Sequence, residues 1–280
     1  MSTPKRHHFV PEVILKRFTD DDGWLHLFSK RDRRTRPTRP ANAFCEGHLY
    51  SEVDSDGRKD PRVEIELSWL ERAIEPILLK FEESVRSNKL PQLSAADLLI
   101  WRFFFVVQWH RVPDLHQTVA TEEESAIELH QILDEMVKRF PDRASEIEAM
   151  RDPTEMKRTI RNARIRLVPE VSERVMNALG TRGLAVLSIT APTKGLIIGS
   201  RPVVQLAFRD GLSLMDEATE MWLPISSKLA VGVGPKDEPE IIYHLNDHSA
   251  IRHLNLAVAR QSTEFASRSA KLTDSVAAAL

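Results

Sequence analysis

Apolar residues in the first sixty positions come in short runs broken by turn residues. Pro11 followed by Val13, Ile14, Leu15 and Phe18 predicts a short helix with proline in its first turn. Asp20-Asp21-Asp22-Gly23 reads as a turn and residues 24–28 as a strand. The polar stretch 29–34 is placed to return the chain into a second strand, which Pro37 and Pro40 end. Leu49-Tyr50 predicts a further short extended piece. From Val63 the period becomes helical: Ile65, Leu67, Leu70, Ile74, Ile77, Leu78 and Phe81 form an apolar stripe, with Pro76 placed to kink it. Ser94, with Asp97 three residues on, caps a helix that carries residues 98–109, apolar on nearly every side and therefore expected at the centre of the molecule. Pro113 interrupts it. Charged helical pattern follows over 115–140 and from Pro153 to about Leu179, where Gly180 and Gly183 punctuate the chain.

The last third changes character. Residues 184–189, 196–198, 203–208, 222–225 and 229–233 are short β-type runs. Asn246 or Asp247 caps a final helix expected to reach about Ser267, and the tail 269–280 is expected to fray. Segregated strands and helices predict an α+β fold: a mostly helical body with a small N-terminal strand pair and a C-terminal antiparallel or mixed sheet. The chain reads as one domain over 1–280, with sub-regions 1–60, 61–180 and 181–268.

Composition narrows the function classes. The 280 residues are 42% apolar and 29% charged, which supports a core of useful size and argues against bulk disorder. The net charge of -2 excludes a molecule that binds nucleic acid through its overall field, so such binding needs a local basic patch. The densest one is Lys30-Arg31-Asp32-Arg33-Arg34-Thr35-Arg36 with Arg39. Arg33, Arg34 and Arg36 are its candidates for contacting nucleic acid or another polyanion. A single cysteine, Cys45, allows no intramolecular disulfide and fits a reducing, cytoplasmic compartment. No apolar signal core follows the basic residues 1–8. The most apolar run, 98–109, is too short to span a bilayer, so a soluble protein with no membrane partner is expected.

Several ionisable residues carry candidate chemistry. His7 and His8 precede the first helix, and an imidazole there suits a general base or a tether for the N-terminal segment. Glu64 and Glu71 are two helical turns apart on one face, a spacing that serves acid–base or metal chemistry as well as a solvated face. Gln108 and Arg111 share a face at the end of the most apolar helix, where polar groups need partners or a cavity. Arg111 is thus placed to hold either an anionic ligand or one of the two glutamates. Cys45 has His48 nearby but no convincing dyad. No phosphate-binding glycine loop, serine nucleophile elbow, zinc motif or cofactor signature is present.

The order of motifs resembles the Domain of Unknown Function 4238 family. His8-Phe9-Val10-Pro11 followed by Leu15-Lys16-Arg17-Phe18 is similar to that family's opening signature. Residues 24–30 follow as its short strand, and Glu46 and Tyr50 sit where it places an acidic residue and a tyrosine. Glu64 and Glu71 match its paired glutamates, and Gln108-x-x-Arg111-x-Pro113 its Gln-x-x-Arg-x-Pro motif. Gly199-Ser200-Arg201-Pro202 falls where the family has Ser-Asp-Asn-Pro, with Ser200 in place of the aspartate. Leu223-Pro224-Ile225-Ser226 and the helix bearing Asn255 complete the likeness, which runs from about residue 7 to 268. The resemblance implies the extent of the fold and the candidate residues His8, Glu64, Glu71, Gln108 and Arg111, and it implies no activity. Two readings stand at this point. One is a hydrolase of a phosphoester or nucleic acid built on those five residues, with metal and cofactor open. The other is a non-catalytic module that binds a polyanion or a partner protein.

Overall fold

The chain begins with a strand. β1 (Arg6–His8) pairs antiparallel with β4 (Cys45–Gly47), setting His7 opposite Glu46 and His8 opposite Cys45. The structure, a computed structural model, describes residues 5–113, 121–206, 216, 219–234 and 240–280. Side chains alternate across a strand, so β1 turns His7 inward and leaves Arg6 and His8 on the other face. His7 is fully buried.

After α1 (Glu12–Leu15), the expected hairpin forms from β2 (Leu25–Ser29) and β3 (Arg34–Thr38). Pro37 lies within β3 rather than ending it. The strand tolerates a proline because it is the edge of its sheet, where a missing N–H costs no ladder bond. That sheet runs β3-β2-β13-β8, with β8 at Ile198–Gly199 and β13 at Glu264–Ser267, so the two ends of the chain are knitted into one layer. A second, mixed sheet holds β12 (Glu240–Leu245), β7 (Leu184–Ile189), β11 (Leu229–Val233), β10 (Glu220–Pro224) and β9 (Val204–Leu206), in that order. Only the β12–β7 pair among these is parallel. A two-residue ladder joins β5 (Glu52–Val53) to β6 (Lys59–Asp60).

The helical body follows the predicted order. α2 (Arg62–Ser87) runs continuously through Pro76, and α3 (Ala95–His110) starts at a reciprocal cap in which Ser94 and Asp97 bond each other's backbone N–H. The stripe on α2 buries Leu67, Ile74, Ile77, Leu78 and Phe81, but Ile65 is 51% exposed. Two residues along a helix turn it by about 200°, so Ile65 cannot share the face of Leu67. α4 (Glu122–Arg139) falls in the first charged helical stretch and α6 (Pro153–Leu167) and α7 (Glu173–Gly180) divide the second, while α5 (Ala144–Ala149) forms between them, where no helix was expected. Residues 115–120 of the first stretch, and 207 and 208 of the strand expected over 203–208, lie outside the described residues.

Two expectations fail at the C-terminus. The last predicted helix, α8 (His248–Gln261), stops short of Ser267, and the chain extends at once into β13. The segment expected to fray instead forms α9 (Ala270–Ala277), capped by the Ser269 hydroxyl. It is held by burial of Val276 and Thr273, whose hydroxyl donates to the His26 carbonyl of β2 at 3.0 Å.

Candidate functional site

Arg111 stands at the C-terminal end of α3, delivered into the interior by the most apolar helix of the chain. It is 1% exposed, and burial works against its charge. The Glu71 carboxylate 2.9 Å from Nη1, together with Tyr50, outweighs that and holds its pKa above the ordinary value. Nη2 donates to the carbonyl of His8, and the Tyr50 hydroxyl donates to the Arg111 carbonyl while its ring lies 5.5 Å from the guanidinium carbon. One guanidinium thus ties together β1, α2, α3 and the loop after β4.

A second polar group lies beside it. The Tyr50 N–H donates to His7 Nδ1 at 3.0 Å, so that nitrogen acts as an acceptor, and Glu64 Oε2 sits 3.5 Å from the same atom. A nitrogen whose lone pair accepts the Tyr50 hydrogen bond carries no hydrogen to donate to Glu64, so this is not an ordinary ion pair. The Glu64 carboxyl favours its neutral form: burial pushes its pKa up to about 7, with Arg111 opposing the shift and Glu71 adding to it. Burial likewise raises the Tyr50 phenol. Glu64 Oε2, both amide atoms of the fully buried Gln108, and Arg111 Nε make no hydrogen bond among the described residues.

Tyr50 and Arg111 also form part of the wall of a cavity of about 1080 Å³. One face of α6 makes its longest side, through Met156, Lys157, Ile160, Arg161, Arg164 and Ile165. These positions recur at three- and four-residue steps, as one helix face requires. Arg161 donates to the carbonyls of Ser51 at 2.8 Å and His48 at 3.0 Å, and Asn162 bonds both the N–H and the carbonyl of Val53. The helix therefore fixes the loop that carries Tyr50. Of the other cations, Arg151 is matched by Asp134 and Glu148, and Arg164 donates to Ser125 Oγ. Lys157 and Arg161 have no carboxylate partner among the described residues. Glu123 is the one acidic residue among the described residues of the lining.

The model of a family described as Protein of unknown function (DUF4238) matches residues 6–271. The chain belongs to that family. No curated protein and no solved structure matches it. The match spans β1 through the start of α9, so the Arg111 network and the cavity both lie within the DUF4238 region.

The five residues proposed for one site in this DUF4238 chain do not all meet. Arg111, Glu71 and the backbone of His8 do, and Glu64 joins them through Tyr50 and His7. The His8 imidazole points away, with Nε2 donating to the Pro40 carbonyl at 3.2 Å. The error was to read residues 6–8 as a helix approach, when strand alternation sends the neighbouring histidine inward. In the basic hairpin, Arg36 faces Asp32 and Glu264 at 3.5 and 3.7 Å, and Arg39 stacks over Trp24. Arg33 and Arg34 remain exposed at its turn. Ser200, in the place of the family aspartate, accepts the Thr263 N–H at 3.0 Å and ties β8 to the approach of β13. Burial pushes the Cys45 thiol up, away from thiolate. No group of three or more potential ligands is placed to hold a metal among the described residues, and none of their helices is long and apolar enough to cross a membrane. The sequence reading missed the cavity's cations. Their signal was Lys157, Arg158, Arg161, Arg164 and Arg166 within ten residues, uninterrupted by any acid.

Proposed function

We propose that this chain is a binding module for an anionic ligand, held in the cavity between α6 and the loop that carries Tyr50. The observation that carries this reading is the pair Lys157 and Arg161, one turn apart on the lining face of α6 and unmatched by carboxylates among the described residues. A cation without a counter-charge beside a cavity larger than the roughly 300–1,000 Å³ of common ligand pockets favours an anion from solution. Arg111 supports the wall, and its own anion is internal. Calorimetric titration with tripolyphosphate at low ionic strength should show binding that weakens as salt rises. Lys157→Glu should abolish it. Lys157 makes no hydrogen bond among the described residues, so this variant should keep the wild-type melting temperature. Absence of binding at low salt, or unchanged binding by the variant, refutes the reading.

One observation favours hydrolysis instead. Glu64, with a pKa near 7 beside an imidazole, has the proton affinity of a general acid or base at neutral pH. Turnover of an aryl phosphate ester, lost in Glu64→Gln, would support that reading. Absence of turnover leaves binding as the function.

A further inference from the structure

The lining of the cavity says more about its ligand than charge alone. Between and around Lys157, Arg161 and Arg164, the face of α6 presents Met156, Ile160 and Ile165, and the face continues to Val168. Leu49 and Ala126 add further aliphatic surface. Among the described residues the rings in the lining are those of Tyr50, already stacked on His7 and set against Arg111, and of His130, whose Nδ1 is bonded by Arg151 at 3.1 Å. A site for nucleic-acid bases provides free aromatic faces for stacking. A site for inorganic polyphosphate has no use for an aliphatic floor, whose hydration would be retained on binding. From residue 153 to 168 the face extends about 22 Å by helix rise, long enough for an extended chain.

We infer that the ligand is a single-chain amphiphile, an alkyl chain with a phosphate or similar anionic head. Its head meets Lys157 and Arg161, and its chain lies against Met156, Ile160, Ile165 and Val168. This rests on the anion-binding reading above and adds the apolar body to it.

The test is a chain-length series of hexyl, octyl and decyl phosphate, each kept below its micelle concentration and titrated into the full chain, beside tripolyphosphate and an oligothymidylate. Affinity should rise about fourfold for each added methylene that is buried. Lys157→Glu should weaken every member about equally. Ile160→Ser, at a half-buried position, should flatten the chain-length dependence and leave tripolyphosphate unaffected. Affinity independent of chain length, with tripolyphosphate binding still lost in Lys157→Glu, overturns the amphiphile and leaves the anion reading intact. Chain-length dependence indifferent to Lys157→Glu overturns the anionic head. Tight oligothymidylate binding with no response to alkyl phosphates overturns the proposal in favour of nucleic acid.

Discussion

Arg111→Lys keeps the buried charge and removes the fork that carries it. In the wild type, Nη1 bonds Glu71 at 2.9 Å while Nη2 bonds the His8 carbonyl, and the two acceptors lie on different elements. A lysine has three donors but a single nitrogen on an unforked stem, so it cannot stand at both guanidinium positions, and at least one of the two contacts is lengthened or lost. The loss is one hydrogen bond involving a charged group, roughly 1.5–3 kcal/mol. It falls short of the roughly 3–5 kcal/mol for deleting one partner of a buried pair, because the charge remains. Chains of 150–250 residues lose about 2–4 °C per kcal/mol. At the lower end of that scale, suited to a longer chain, the melting temperature should fall by about 3–6 °C. Scanning calorimetry of wild type and variant measures this, and the drop should be the same with and without tripolyphosphate because the anion Arg111 holds is internal. A shift under about 1 °C would mean that the Glu71–Arg111–His8 junction contributes nothing. A drop that appears only with ligand present would make Arg111 a ligand-holding residue.

Glu64→Gln should alter the pH dependence of stability. The folded pKa of about 7 lies above the ordinary carboxyl value of 4.5, so the neutral form favours the fold fully below pH 4.5 and the advantage is lost as pH rises through 7. The variant stays neutral, and its denaturant midpoint should decline less than the wild type's between about pH 5 and pH 8. A parallel decline would place Glu64 in water. Gln108→Met removes a fully buried amide with no hydrogen bond among the described residues and keeps its length. Urea unfolding should show stability unchanged or raised by up to about 1–3 kcal/mol. A clear loss would mean that the amide is bonded to something outside the chain's described residues.

The helices were legible because burial imposes a strong period on them. The run 98–109 is apolar on nearly every side, and α3 is central as expected. The strand edges were less legible. β12 and β13 carry mixed polar and apolar residues, since one lies at a sheet edge and the other ends in buried serine, so neither stands out as an apolar run. The site split in the same way. Arg111, Glu64 and Glu71 could be placed because their helix faces could be counted. The inward histidine could not, because choosing between His7 and His8 depends on β1 pairing with β4, a contact between distant segments that leaves no local pattern. The cavity was visible only as a run of cations on α6, which by itself reads as a solvated face.

The placement of β13 between β2 and β8 sets an order of events during synthesis. The partner of β2 on one side, β3, follows it directly in the chain, whereas its other edge waits for a strand that begins at Glu264. At about 5–20 residues per second, that edge stays open for on the order of 10–50 s of translation. An open strand edge invites pairing with other chains, and positive charge beside it discourages that. Arg31, Arg33 and Arg34 sit at the turn of that hairpin. The basic stretch that first looked like a grip for nucleic acid is therefore well placed to keep nascent copies apart until the last strand arrives.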